Sequence, residues 1–251
     1  MATFLLYLLV ISSIQTLFML YVAAVFVSGD LFMARHLLGS GFHRSLETSL
    51  TVPESVILQH KLPDCAFLLF ETLPPGIYAD PFQINSLVPF GGPQVLFDRI
   101  VNIEAAEFLS KPHELFIFLS LHKHVTDERP SEKTLKVSLP IHARYHRPSV
   151  DAKISHSHVT ILPPGLYSNC TPSDAADTVM APCDMNNSSL CLWTHLPYKS
   201  SFPVVQLSVP IGQQSDIPLV VMTTLFTTVA VCALLIRFLW TSQQEAHSKH
   251  L

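Results

Sequence analysis

The side chains best suited to chemistry in this sequence are histidines that recur in pairs at even spacing. In an extended strand, such spacing puts both imidazole rings of a pair on one face. Zinc favours paired imidazoles, but no cysteine and histidine quartet with the spacing of a structural zinc site accompanies them. We therefore interpret the histidines as a solvated or interface face and predict no metal site and no cofactor. The pairs are His122 and His124, His142 and His146, and His156 and His158.

The acidic side chains give no better indication of catalysis. Glu104 and Glu107, and likewise Asp174 and Asp177, are close in sequence. Such spacing defines neither the cleft nor the carboxylate separation that a glycosidase needs. The sequence also lacks a Gly-x-Ser-x-Gly elbow, a glycine-rich phosphate loop and a His-Glu-x-x-His helix. We predict no catalytic residue and no enzymatic activity of the chain's own.

The most concentrated group of basic and aromatic residues is Arg144–Pro148, which reads Arg-Tyr-His-Arg-Pro. Such a group can contact a phosphate or the carboxylates of a partner. A solvated strand end is the alternative, since such charges ordinarily face water. The region around it, residues 30–217, is mildly acidic, so the sequence indicates no nucleic-acid partner.

Two apolar runs predict the topology. Eighteen uncharged residues, Leu219–Ile236, precede Arg237, and at about 1.5 Å per residue they cross nearly all of a ~30 Å hydrocarbon core. A second uncharged run, Thr3–Val27, is typical of a signal peptide, with an uncleaved anchor as the alternative. We predict a signal segment at 1–29, a lumenal domain at 30–217, a transmembrane helix at 218–240 and a cytoplasmic tail at 241–251.

Cysteines and glycosylation triplets agree with an exoplasmic location for the middle region. The even number of cysteines there is compatible with two disulfides in an oxidising compartment, and three pairings are possible. We expect one local bridge and one long-range bridge to Cys65, and the alternative is that some of these cysteines remain reduced and buried. The acceptor triplets begin at Asn169, Asn186 and Asn187, of which the last two overlap. The candidate disulfide cysteines are Cys65, Cys170, Cys183 and Cys191.

The periodicity of residues 30–217 is that of β-strands. Apolar and polar residues alternate over 135–145 and 205–211, which predicts half-buried antiparallel strands. Pro140 and Pro210 lack a ladder donor, so these strands are expected at a sheet edge or a bulge. Cys65–Phe70 and Leu115–Leu121 are apolar throughout and predict central strands. With nineteen prolines opposing long helices, the fold class is mainly β, an antiparallel β-sandwich-like domain. A helical turn is expected at Ala105–Leu109.

Five segments occur in a fixed order before the terminal apolar run. They are Gly41–Arg44, Leu73–Pro81, Leu139–Pro148, Ala181–Cys183 and Val209–Gly212. In this combination they resemble the PIG-X/Pbn1 family of phosphatidylinositol-glycan biosynthesis. The similarity implies a type I membrane glycoprotein of the endoplasmic reticulum. It also implies a non-catalytic accessory subunit of glycosylphosphatidylinositol (GPI) mannosyltransferase I, which stabilises the multi-spanning catalytic subunit PIG-M, the partner that adds the first mannose to the GPI precursor.

Two contacts with such a partner are hypotheses from the sequence. One face of the β-sandwich would bind lumenal loops of the catalytic subunit, and a threonine-rich side of the apolar helix would pack against its helices. A single span cannot build an intramembrane catalytic centre. The alternative function is a single-pass cell-surface adhesion or receptor protein with an immunoglobulin-like ectodomain. The threonines are Thr223, Thr224, Thr227 and Thr228.

Overall fold

The structure of the protein is a computed structural model that describes residues 30–59, 66–120, 125–129, 132–169, 177–201 and 203–248. Several predicted features lie outside these residues. They are the signal segment at 1–29, Cys65, Cys170, His122, His124, Asp174 and the last three residues of the predicted tail.

The described residues form mainly strands, as the alternating pattern predicts. The strands are β1 (Phe32–Leu38), β2 (His43–Pro53), β3 (Ala66–Leu73), β4 (Ile77–Tyr78), β5 (Gln94–Phe97), β6 (His113–Ser120), β7 (Val125–Arg129), β8 (Glu132–Ala143), β9 (His156–Ile161), β10 (Gly165–Ser168), β11 (Thr178–Pro182), β12 (Leu190–His195), β13 (Lys199–Ser200) and β14 (Val205–Pro210). The α-helices are α1 (Glu54–Gln59), α2 (Pro81–Leu87) and α3 (Ile217–Ser248), and short 3-10 helices span Val88–Phe90, Glu107–Leu109 and Gln214–Asp216.

The chain divides into two compact units. The first comprises the described parts of 1–145 and 158–209, and the second comprises 146–157 and 210–251. In the first unit, sheet A has the strand order β13-β1-β2-β8-β4, with β7 also pairing to β8. Sheet B has the order β11-β12-β10-β3-β6-β5, and β9 pairs with β14. The mainly β, sandwich-like fold class is confirmed.

The two apolar runs predicted as central strands are central. Strand β3 lies between β10 and β6, and β6 lies between β3 and β5. Alternate residues of these strands join those of β2 in one buried core, because each strand presents every second side chain to that side. Leu69, Ile117 and Leu46 are members of this core and are almost wholly buried. The sheets therefore share an apolar interior.

A buried ion pair crosses this interior. The Arg35 guanidinium on β1 donates to the Glu71 carboxylate on β3 at 2.7 Å, and a second Arg35 nitrogen donates to the Leu162 carbonyl at 2.7 Å. Burial raises the pKa of Glu71 to about 7 although Arg35 acts to lower it. The free-energy cost of removing the Glu71 carboxylate from water thus exceeds the stabilisation that Arg35 gives to the charged form.

The sequence predicts Pro140 at a sheet edge or a bulge, and the edge position is wrong, since β8 is paired on both sides. The registers show how the sheet accepts it. Among the described residues, which leave out 121–124 just before β7, the side of β8 away from β2 pairs with β7 up to Leu135 and with β4 at His142 and Ala143. Pro140 falls in the gap between these partners, where a ladder donor is not required. Pro210 ends β14, an edge strand as predicted.

The second unit consists of a loop and a long helix. Within it, the Ile211 amide donates to the Ser155 carbonyl at 2.9 Å and the Ser149 amide donates to the Gly212 carbonyl at 2.8 Å. The loop 146–157 is thereby fixed to the residues that precede α3. Among the described residues, the segment Gln214–Thr241 is the one helix long and apolar enough to cross a membrane. The predicted span at 218–240 lies within it.

Candidate interaction site

Arg144 is buried, which corrects the prediction of a basic surface patch at this residue. One of its terminal nitrogens donates to the carbonyls of Asn102 at 2.7 Å and Ala105 at 2.6 Å. The guanidinium carbon lies 4.5 Å from the centre of the Tyr78 ring, a distance at which a cation is attracted to the ring face. Arg144 therefore holds the loop that precedes Glu107–Leu109 against the end of β8.

A cavity of about 200 Å³ lies beside this arginine and is lined by Arg99, Lys111 and His113 among others. His113 is buried, and burial together with the nearby Arg144 lowers the pKa of His113 to about 4. This imidazole is neutral near pH 7, so it adds no charge to the cavity. Arg99 is paired with Asp98. The main role of Arg144 here is to hold the loop that precedes Glu107–Leu109 in place.

The acidic and histidine pairs do not assemble into a site in the described structure. Glu107 begins the 3-10 helix Glu107–Leu109, which confirms the predicted helical turn. His142 stacks on Tyr78 with ring centres 5.1 Å apart, meets His43 edge-on at 4.7 Å, and contacts the Gln83 amide oxygen at 2.8 Å. Burial and His43 lower the pKa of His142. No group of three or more potential metal ligands occurs among the described residues.

The outer faces of the two sheets differ in chemistry. On sheet A, the residues that point away from the core along β2 and β8 are mostly polar. On sheet B they are mostly apolar and form a second cluster in which Trp193 and Leu68 are almost wholly buried. The polar face contains Ser45, Glu47, Ser49, Lys136 and Ser138, and the apolar face contains Leu68, Phe116, Phe118, Tyr167 and Trp193.

The apolar face continues into a hairpin that a disulfide closes. Strands β11 and β12 pair in antiparallel register, and Cys183 is bonded to Cys191. The Trp193 indole nitrogen donates to the carbonyls of Ala181 at 3.3 Å and Pro182 at 3.1 Å, which fixes the partner strand. We call the segment Thr178–His195 the stapled hairpin. Cys65 and Cys170, the other predicted bridge partners, lie outside the described residues.

Strand periodicity in the sequence does not predict this hairpin as an exposed surface. A usable signal was present, because Val179–Ala181 and Leu190–Trp193 are apolar at consecutive positions. Such a run normally indicates a strand covered on both faces. In the described part of sheet B, the two strands of the hairpin are the last two strands at one end. Trp193 and Ala181 are buried against sheet B, but Met180, Leu190 and Leu192 remain exposed.

The predicted glycosylation residues lie on the outside of the first unit. Asn169 is exposed at the end of β10, and its side-chain oxygen accepts from the Ala66 amide at 3.0 Å. Asn186 and Asn187 lie in the tip of the stapled hairpin, between its two cysteines. Asn187 adopts a φ of 54°, a left-handed conformation that asparagine tolerates in turns. Sugar attachment at these residues stays a prediction.

The threonines of α3 have satisfied hydroxyl groups. Thr223 donates to the Leu219 carbonyl at 2.9 Å, and Thr224 donates to the Val220 carbonyl at 2.7 Å, one turn earlier in each case. Thr227 and Thr228 make the same bonds. Any packing of this side against another helix would therefore use methyl groups and close backbone approach, not new hydrogen bonds.

A strand-built head and, within the part of the chain that the structure describes, one helix of membrane-spanning length are the features of a membrane-anchored protein. The chain belongs to the PIG-X / PBN1 family, whose model matches residues 39–240. The resemblance noted in the sequence is thus confirmed.

Three relatives illustrate the family. A Homo sapiens protein named GPI alpha-1,4-mannosyltransferase I, stabilizing subunit, is 31% identical over 215 residues, or 82% of this chain and 78% of that protein. Its Mus musculus counterpart is 28% identical over 82% of this chain and 80% of its own length. Protein PBN1 of Gibberella zeae is 25% identical over 70% of this chain and 32% of its own length. No solved structure matches the chain.

Proposed function

We propose that this chain is a non-catalytic accessory subunit of GPI mannosyltransferase I that stabilises the enzyme's multi-spanning catalytic subunit, PIG-M. In this role it supports transfer of the first mannose to the GPI precursor in the endoplasmic reticulum. The family match over residues 39–240 carries the proposal, since two of the relatives described above are named as the stabilizing subunit of this enzyme. The chain itself would take no small-molecule substrate.

Stabilisation by such a subunit needs no chemistry. A partner that binds only the folded form of the enzyme shifts its folding equilibrium by mass action and lowers the fraction open to degradation. The apolar outer face of sheet B and the unpaired side of α3 are surfaces on which this binding can occur. We propose that the head lies in the lumen, carries the predicted glycans, and leaves residues after the span in the cytosol.

The function is tested by restoring the chain to cells from which it has been removed. The expected result is a rise in the steady-state level of the catalytic subunit, its co-purification with this chain in detergent, and recovery of GPI-anchored proteins at the cell surface. An unchanged enzyme level with the chain present would contradict the proposal. A chain that transfers mannose on its own would contradict it as well.

Localisation separates the proposal from the receptor alternative. Glycans that stay sensitive to endoglycosidase H are expected for a resident of the endoplasmic reticulum, whereas resistant glycans and surface labelling are expected for a receptor. The role of the span is tested by replacing α3 with an unrelated leucine-rich helix. A lower level of the catalytic subunit would support contacts through the threonine side, and an unchanged level would assign binding to the head.

A further inference from the structure

The stapled hairpin exposes a contiguous group of large apolar side chains on one of its faces. On that face Met180 and Leu190 are each 63% exposed and Leu192 is 43% exposed, whereas Val179 lies opposite Trp193 on the other face and is 42% exposed. Single exposed apolar residues are common, but a contiguous group marks an interaction site. The matching outward positions on β2 and β8 are held by serine, glutamate and lysine, so the outer face of sheet A along these strands has no comparable apolar group.

The hairpin is restrained within the chain itself, without a partner. The Cys183–Cys191 bond closes its tip, and the fully buried Trp193 anchors it on the apolar face. The same indole nitrogen contacts both carbonyls at the end of β11. A surface that is already ordered loses little conformational entropy on binding, so more of the contact energy appears as affinity.

A cavity of about 230 Å³ lies at the base of the hairpin. Its wall has no charged side chain, and one aromatic side comes from Phe70, Phe116 and Tyr167 while Val179 and Met180 form the other. Such a cavity accepts an apolar side chain and rejects a charged one. The pairing of hairpin and cavity resembles the central anchor and pocket of a protein interface.

The charges around this surface distinguish between occupants. Within 177–195 the charged residues at neutral pH are Asp177 and Asp184, and there is no lysine or arginine. Binding to an anionic lipid surface relies on basic residues beside the apolar ones, so a membrane is disfavoured. An apolar protein segment with neutral or basic flanks complements the hairpin in both shape and charge.

We propose that the strands of the stapled hairpin, Thr178–Pro182 and Leu190–His195, and the cavity at its base bind an apolar, neutrally or basically flanked segment on the lumenal side of the mannosyltransferase catalytic subunit, whereas the tip with its predicted glycans stays outside the contact. This inference rests on the proposed function and names the surface that performs it. The polar face of sheet A takes no part in the contact.

Matched pairs of variants test the proposal in the full-length chain. Met180→Glu places a charge on the hairpin, and Lys136→Glu places the same residue type on the exposed part of the polar face. Leu192→Asn creates the glycosylation triplet Asn-Trp-Thr on the hairpin, and Lys136→Asn creates Asn-Val-Ser on the polar face. Each pair thus adds the same chemistry to the two faces.

The readouts are the amount of catalytic subunit that co-purifies with each variant and its steady-state level in cells that lack the native chain. We expect at least a tenfold loss of capture for both hairpin variants, because a charge or a glycan must leave the interface or remain buried unpaired. We expect wild-type capture for both Lys136 variants. Thermal unfolding of each detergent-solubilised variant shows whether a loss of capture comes from misfolding. If Met180→Glu fails to fold, the result for Leu192→Asn decides the test.

The outcomes separate the two proposals. If the wild-type chain captures and stabilises the enzyme but the hairpin variants do so equally well, the hairpin proposal is overturned and the proposed function stands. If the wild-type chain captures nothing, both fall. The proposal is also overturned if the wild-type chain is a dimer, Met180→Glu is a monomer, and both capture the enzyme equally well. That result would assign the hairpin to contact with a second copy of this chain.

Discussion

Sheets A and B share one core, yet their outer faces differ in chemistry. The face of sheet A along β2 and β8 follows a strict alternation, in which Leu46 and Leu50 point inward and Ser45, Glu47 and Ser49 point outward. Sheet B is apolar on both sides, and its outer cluster is covered only in part. The outer face of sheet A is therefore suited to contact with water, whereas sheet B leaves apolar surface that a partner can cover.

Removal of the hairpin's anchor is expected to have the largest effect on this comparison. Trp193→Ala deletes a fully buried indole from the apolar face and should lower the free energy of unfolding by about 3–5 kcal/mol. Ser49→Ala on the polar face should change it by no more than about 0.5 kcal/mol. Denaturant or thermal unfolding of the full-length chain in detergent measures both values. Equal effects would mean that the outer cluster contributes no more stability than a solvated face.

The interior between the two faces can be tested through Glu71. The pKa of Glu71 is raised to about 7 from 4.5 by burial, so between these pH values the folded state binds more protons than the unfolded state. The stability of the wild type relative to Glu71→Gln should therefore decrease by about 3 kcal/mol as pH rises from 4.5 to 7. Unfolding experiments at several pH values measure this difference. A difference that grows with pH would mean that Arg35 outweighs burial and lowers this pKa.

Loss of the disulfide should have an intermediate effect that is confined to sheet B. The Cys183–Cys191 bond closes a loop with a sequence separation of 8, for which the chain-entropy estimate is about 2–3 kcal/mol. The double variant Cys183→Ser with Cys191→Ser should lose this stability and show faster amide exchange in the hairpin, with β2 and β8 unchanged. Unchanged exchange in the hairpin would show that Trp193 alone keeps it ordered.

The smallest effect is expected on the threonine side of α3. This third surface is apolar because its hydroxyl groups already bond to carbonyls of the same helix. Replacing Thr223 and Thr227 by valine keeps the side-chain shape and removes hydroxyls that already bond within the helix. Capture of the catalytic subunit should change by less than about twofold, or 0.4 kcal/mol. A larger loss, measured by co-purification, would show that these hydroxyls leave their own carbonyls to bond a neighbouring helix.

The sequence predicts strands well where burial alternates. The pattern at 135–145 corresponds to β8 (Glu132–Ala143), and the pattern at 205–211 corresponds to β14 (Val205–Pro210). Alternation works here because one face of each strand meets the core and the other meets water. The apolar runs at β3 and β6 are likewise central, because each of these strands has a paired strand on both sides.

Two features depend on tertiary neighbours that one sequence does not reveal. Arg144 follows the last residue of β8 in an apparently basic patch, but the loop carbonyls of Asn102 and Ala105 enclose it. Leu190–Trp193 has the pattern of a covered strand, yet β12 lies near one end of sheet B, where Leu192 stays exposed. Local pattern predicts which residues alternate, but the position of a strand within the sheet decides which faces are covered.

Amide hydrogen exchange of the chain, alone and in complex with the catalytic subunit, tests the central claim most directly. Binding through the stapled hairpin predicts slower exchange at Thr178–Pro182 and Leu190–His195 in the complex, with the exchange of β2 and β8 unchanged. Protection of β2 and β8 with an unchanged hairpin would contradict the claim and place the partner on the polar face.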